Sequence, residues 1–264
     1  MKKTQKRGLL MELTGKTAII TGSCGEGMGR STALCLAREG ANIVLNYGTH
    51  RHDEKVHAEA KKIAESINDF GSEAIIQPAN TRDEQQVKTM VDAALKAFGS
   101  VDILINNAGG GWEIRDYTDI SLEHWRDVLS AEIDGAFLTM KCVVPQMRER
   151  KWGRIIHIGM SGALRMEKMA YVAPDYCLGK SVRAWMTSAF GLQEFDKGIT
   201  VNCIEPGIIK SMTFEIALKA VRRDDLNWYQ RKKSIPQDVA EIIAFLCSEA
   251  GRFISGSIIR LPGM

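Results

Sequence analysis

The sequence predicts an α/β fold: one domain on a parallel, doubly wound sheet. Three observations carry this. Short apolar runs alternate with long stretches of helical periodicity along most of the chain. The runs are continuously apolar rather than alternating, which suits strands covered on both faces. Glycine-rich and chemistry-bearing segments follow the ends of several runs, where ligands bind in such sheets.

The strand candidates are Thr17–Thr21, Asn42–Leu45, Ala74–Gln77, Ile103–Asn106, Arg154–Ile158, Thr200–Ile204 and Ile258–Leu261. Helical patterns fall between them at Gly29–Glu39, Asp53–Asp69, Asp83–Phe98, Leu122–Arg150, Pro174–Phe195 and Pro236–Ser248. No internal repeat or linker divides the chain, so one domain over 13–264 is expected, preceded by a loose arm over 1–12.

Composition narrows the function classes. A net charge of +3, with the two signs interspersed, gives no footprint for a nucleic-acid partner. No apolar run is long enough to span a membrane, and the basic start Met1–Arg7 lacks a signal-peptide core. The six cysteines form neither a C-x-x-C unit nor a zinc spacing, so no metal is expected. Most lie in apolar runs, which suits a reducing, cytoplasmic setting.

Two motifs carry chemistry. The first strand runs into Thr21-Gly22-Ser23-Cys24-Gly25-Glu26-Gly27-Met28-Gly29-Arg30, followed by a helix. Glycines let a backbone approach a pyrophosphate, and a helix N-terminus offers free N–H groups to it. Later in the chain, Tyr176 and Lys180 stand four apart on a helical pattern with apolar residues at Leu178, Val182, Trp185, Met186, Ala189 and Phe190. At that spacing the two share a face, turned away from the apolar stripe. A tyrosine ordinarily titrates near about 10, and a nearby cation lowers it.

With Asn106-Asn107-Ala108-Gly109 after the fourth strand, Pro206-Gly207 after the sixth and Ile254-Ser255-Gly256 near the end, the chain resembles the short-chain dehydrogenase/reductase family. The likeness is to the branch that includes 3-oxoacyl-carrier-protein reductases, and it runs from about Leu13 onward. It implies a Rossmann-type sheet of about seven strands flanked by helices. It also implies a nicotinamide dinucleotide and hydride transfer between that cofactor and a ketone or secondary alcohol.

By this resemblance Tyr176 is the general acid, and Lys180 lowers its pKa and meets the ribose. The family's serine usually stands nearer the tyrosine; position 163 is Ala163, and Ser161 is the available hydroxyl. Glu132 occupies the place of an asparagine that helps hold a water in a proton relay. An ionised glutamate can accept there but not donate, so it either carries protons itself or is structural. The expected cofactor contacts are Gly22, Ser23, Gly27, Met28, Gly29 and Arg30 in the glycine loop, then Asn46, Tyr47, His50 and Arg51 after the second strand. Asn80 and Thr81, Asn107, Ala108 and Gly109, and Pro206, Gly207, Ile209 and Ser211 complete the set, with Tyr176 and Lys180. The loop holds four residues between Gly22 and Gly27, one more than usual. Glu26 is expected to face solvent, away from a phosphate.

An acid at the end of the second strand would bind the ribose 2′-hydroxyl of NAD. Here Tyr47 stands there, and Arg30, His50 and Arg51 are candidates for a 2′-phosphate. NADP(H) is therefore favoured over NAD(H). Substrate choice is placed in the segment between Pro206 and Pro236 and in the loop Gly110–Tyr117. The former carries Met212, Phe214, Ile216, Leu218, Trp228 and Tyr229 among Lys219, Arg222, Arg223, Arg231, Lys232 and Lys233. The substrate class is a small-molecule or carrier-linked carbonyl. Relatives imply a homotetramer built from the helices Leu122–Arg150 and Pro174–Phe195, with a dimer as the runner-up. Two other readings stand beside the oxidoreductase: a dinucleotide-binding sensor or scaffold, and a hydride-recycling epimerase.

Overall fold

A computed structural model of the chain describes residues 12–49, 54–164, 173–223, 231 and 233–261. The arm before residue 12, together with His50, Arg51, Trp228, Tyr229 and Lys232, lies outside the described residues. The strands are β1 (Thr17–Ile20), β2 (Asn42–Leu45), β3 (Ala74–Ile76), β4 (Ile103–Asn106), β5 (Gly153–Ile158), β6 (Ile199–Pro206) and β7 (Ile258–Leu261). The helices are α1 (Met28–Arg38), α2 (Glu54–Asp69), α3 (Glu84–Phe98), α4 (Leu122–Leu129), α5 (Gly135–Arg150), α6 (Pro174–Glu194), α7 (Phe214–Arg222) and α8 (Pro236–Cys247).

The strands form one parallel sheet in the order β3-β2-β1-β4-β5-β6-β7. Its direction of growth reverses between β1 and β4, and that parting is where a doubly wound sheet binds its ligand. Successive side chains of a strand enter opposite layers. Ile20 joins Leu34 and Leu36 of α1, Ile63 and Ile67 of α2 and Ile243 and Leu246 of α8. Ile19 joins Met90 of α3, Val143 and Met147 of α5 and Met186 of α6. Both faces are covered, which explains the uninterrupted apolar strands.

Local chemistry sets several boundaries. Asp83 caps α3 by accepting from the Gln85 and Gln86 amides, and Gly99 ends it at φ 79°. Thr213 caps α7, accepting from the Ile216 amide at 3.4 Å. That helix falls in the segment between Pro206 and Pro236 in which substrate choice is placed.

Two corrections follow. The single helix expected over Leu122–Arg150 is broken by a π turn at Ser130–Asp134, which carries Glu132 into the interior with no exposure to water. Gly135 completes the passage: a Cβ there would lie 2.8 Å from the Thr81 hydroxyl. On α6 the expected apolar stripe is only partly buried, since Leu178 and Trp185 are exposed while Lys180 is buried.

Beyond the sheet, Arg38 ties three helices together. It donates to the Val221 carbonyl of α7 at 2.9 Å and to both carboxylate oxygens of Glu241 on α8 at 2.7 and 2.9 Å. Hydrogen bonds and the Arg38 charge outweigh burial and draw the Glu241 carboxyl down to about 2 from 4.5. A depressed carboxylate stabilises the fold fully above its unfolded value and stops doing so as pH falls through its folded one. Urea midpoints compared between pH 7 and pH 3 are therefore expected to fall more in the unaltered chain than in Glu241→Gln; parallel losses contradict the role given to this carboxylate.

Candidate active site

A cavity of about 1050 Å³ opens over the carboxyl ends of the strands, at the parting of β1 and β4. One wall is the glycine loop, with Gly22, Gly25 and Met28 facing the space. Gly22 sits at φ +64°, and its packing leaves a Cβ only 3.2 Å from the Ala108 backbone. At Gly29 a Cβ would meet the Gly22 carbonyl at 2.5 Å, so α1 can approach the loop only without a side chain there. Gly27 caps α1 with no side-chain bond, and the first turn holds no acid. Free amides at a helix start next to an open cavity fit the phosphates of a dinucleotide. Glu26 is exposed, as expected of a carboxylate beside such a site.

Threonine and asparagine hold the parting in place. The Thr21 hydroxyl accepts from the Asn107 and Ala108 amides at 3.0 and 2.9 Å and donates to the Ile105 carbonyl at 3.1 Å. The Asn107 side chain donates back to the Thr21 and Gly22 carbonyls at 2.9 and 3.0 Å. Asn46 is likewise committed: it accepts from the Gly22 amide and donates to the Gln77 and Ala79 carbonyls. Asn80 accepts from the Arg82 amide at 3.1 Å. Asn46, Asn80 and Asn107 line the cavity, as do Tyr47, Thr81, Ala108 and Gly109.

The opposite wall holds Tyr176, Lys180, Ser161 and Glu132, with Pro206, Gly207 and Ile209 beyond. The Ser161 amide donates to the Pro206 carbonyl at 3.0 Å, which fixes the turn after β5 beside the turn after β6. At the start of α6, Asp175 accepts from the Tyr176 amide at 2.8 Å. The Lys180 ammonium donates to the Ile158 carbonyl at 3.1 Å, stands 3.1 Å from Glu132 Oε2 and lies 5.1 Å from the centre of the Tyr176 ring.

Some expected residues stand elsewhere. Ser23, Gly27, Gly29, Arg30 and Ser211 do not line the cavity. The Ser23 hydroxyl accepts from the Asn46 amide at 3.0 Å, joining the loop to β2. Arg30 is buried and donates to the Met212 carbonyl, while the Met212 amide donates to the Glu26 carbonyl at 3.1 Å. Arg30 thus clips the segment after β6 to the glycine loop, away from the lining of the cavity. Tyr47 is also buried, its hydroxyl 3.1 Å from His57 Nδ1. Three residues of the basic cluster in the substrate segment are paired: Arg222 with Asp69, Arg223 with Glu241 and Arg231 with Asp238.

The electrostatics differ from the expected pattern. Burial raises the Tyr176 pKa, Glu132 raises it further, and the cation that opposes them is Arg183. Burial and Glu132 thus work against the lowering expected from a nearby cation, and the Lys180 ammonium lies 3.1 Å from the Glu132 carboxylate. Burial brings Lys180 itself down to about 8, against the pull of Glu132.

Arg183 and His157 escaped the sequence reading. Arg183 is seven residues after Tyr176, and that helical spacing with Lys180 is a signal that was available. His157 on β5 is fully buried and pushed down to about 3 by desolvation and by Arg183 and Lys180, so it is neutral. Nothing in a strand's periodicity marks it.

Residues 23–263 match the family model described as Enoyl-(Acyl carrier protein) reductase. The chain belongs to the short-chain dehydrogenase/reductase family. It is 30% identical over 256 residues to a cyclohexanol dehydrogenase from Acinetobacter sp. (strain SE19), covering 96% of this chain and 95% of that one. It is 32% identical over 259 residues to a 3-oxoacyl-(acyl-carrier-protein) reductase from Staphylococcus epidermidis, covering 94% and 98%. A solved dehydrogenase/reductase from Sinorhizobium meliloti 1021 shares the fold, with a TM-score of 0.78 at 24% identity over 96% of each chain. The short-chain dehydrogenase/reductase here is therefore an oxidoreductase, and its family implies a nicotinamide dinucleotide.

Two glycines make room for the buried carboxylate. A Cβ at Gly109 would collide with Oε1 of Glu132, and one at Gly179 would lie 2.5 Å from its Cβ. In an open helix Gly→Ala gains about 1 kcal/mol, whereas forcing a methyl into a filled interior costs about 1–3 kcal/mol. Glu132 cannot yield, so Gly179→Ala is expected to lower stability in urea unfolding; a stabilised protein contradicts this packing.

Proposed function

We propose that this chain is an NADP(H)-dependent oxidoreductase that interconverts a ketone and a secondary alcohol, with Tyr176 as general acid and base. The observation that carries the reading is the convergence of Tyr176, Lys180 and Ser161 on one wall of a cavity whose other wall is the glycine loop. The nicotinamide supplies or accepts the hydride when bound. Tyr176 keeps its proton at neutral pH, because burial and Glu132 hold its pKa above the ordinary value, and it gives that proton to the carbonyl oxygen during reduction. Ser161 hydrogen-bonds the same oxygen, and the Lys180 ammonium meets the ribose and steadies the phenol. A neutral phenol needs charge to develop on the substrate before the proton moves, and that is the moment at which donation accelerates a reaction.

The preference for NADP(H) is supported by the end of β2, where Asn46-Tyr47-Gly48-Thr49 carries no acid. The relatives act, by their names, on cyclohexanol and on carrier-linked oxoacyl groups, which suits a small-molecule or carrier-linked carbonyl. Exposed Phe137 on α5 with Trp185 and Leu192 on α6 supports assembly through these helices, read as a homotetramer in the cytoplasm.

A panel of ketones with NADPH, followed at the absorbance of the reduced nicotinamide, tests the reaction. Tyr176→Phe is expected to lose 10²-fold or more of turnover (about that, for a general acid) while keeping cofactor binding; full activity overturns the mechanism, and binding without turnover by the unaltered chain favours a sensor. In the same assay kcat/KM with NADPH is expected to exceed that with NADH, and the reverse order sinks the cofactor assignment.

A further inference from the structure

Arg183 is the largest fully buried side chain among the described residues. Its Nε donates to the Glu132 carbonyl at 2.8 Å and stands 3.0 Å from Glu132 Oε2. Its remaining nitrogens donate to the Asn106 carbonyl at 3.0 Å, to that of Ile158 at 3.3 Å and to that of Ala108. One guanidinium thus joins the end of β4, the end of β5 and the π turn, which are three borders of the cavity.

Glu132 is held by one hydrogen bond and two ion pairs, its Oε2 being buried without a hydrogen bond. Its Oε1 accepts from the Gly110 amide at 2.8 Å, and its Oε2 faces both Lys180 and Arg183. If this carboxylate took up a proton, two buried cations would be left without an anion, and breaking a buried pair in that way is strongly unfavourable.

We propose that Glu132 and Arg183 act as one ion-pair unit that anchors the Lys180 ammonium: Arg183 is a positioning residue, and Glu132 keeps its charge throughout rather than carrying a proton. This rests on the reading of Tyr176 and Lys180 as the proton-donating pair. The unit takes the place of the asparagine of the family's usual arrangement, and it decides between the two roles the sequence left open for Glu132.

The groups facing Lys180 are few. Glu132 comes from the π turn, His157 from β5 and Cys203 from β6, with Tyr176 and Arg183 on its own helix. His157 is neutral, and burial pushes the Cys203 thiol up to about 12. The Tyr176 phenol keeps its proton. Charge acting on Lys180 therefore comes from Glu132, which raises its pKa, and from Arg183, which lowers it, with Glu132 the larger of the two.

The test is the titration of Lys180 by NMR in the full chain carrying 13C-labelled lysine, the signal being assigned by its loss in Lys180→Arg. The unaltered chain is expected to titrate near 8. Glu132→Gln is expected to move the midpoint down by about one pH unit or more, and Arg183→Gln to move it up. The double variant, which removes both charges, should fall between Glu132→Gln and the unaltered chain. Should one single variant fail to fold, the other compared with the double variant carries the same signs. Shifts in the same direction, or none, overturn the unit. The alkaline limb of kcat should follow the same order, since the ammonium is present below its midpoint and lost above it. The NMR readout needs no turnover, so failure to reduce any carbonyl would remove the functional reading while the order of midpoints still decided the ion-pair unit.

Discussion

A carboxylate sealed from water lies between two cations at the heart of this molecule, and much of the cavity wall is shaped to keep it there. Glu132 cannot be solvated, so its charge is met by Lys180, Arg183 and the Gly110 amide. The π turn delivers it inward, and Gly109 and Gly179 leave the space that its side chain fills. Arg183 in turn saturates the carbonyls at the ends of β4 and β5. Each of these residues is understandable only with the others present, because a single deletion leaves a buried charge or a buried polar group without its partner.

The sheet supplies the frame on which that cluster sits. The parting of β1 and β4 leaves the turns after them side by side, and the Thr21 and Asn107 side chains occupy the gap with reciprocal hydrogen bonds. A rigid base here fixes the glycine loop relative to the turn after β4.

Much of this was legible in the sequence. β2 and β4 fall where their apolar runs stand, because strands buried on both faces leave an unambiguous mark. The glycine loop and the Tyr176–Lys180 pair were visible for similar reasons, since each needs particular residue types at a fixed spacing. The π turn was not legible: Leu122–Arg150 keeps a helical periodicity through it, and the widening depends on tertiary contacts with Thr81 and Arg183. Arg183 was not singled out, because a buried role for a cation becomes visible only once the buried carbonyls it satisfies are known. The burial that acts on Tyr176 was not legible either, because burial, unlike spacing, cannot be read from four neighbouring residues.

The clip between the glycine loop and the chain after β6 has a mechanical consequence. Glu26 and Arg30 lie on one side of it and Met212 supplies both of its partners on the other. Displacing the chain around Met212 must either break those two bonds or drag the loop along. The chain after β6 and the backbone at the start of α1 are thus mechanically joined through a link only a few residues long.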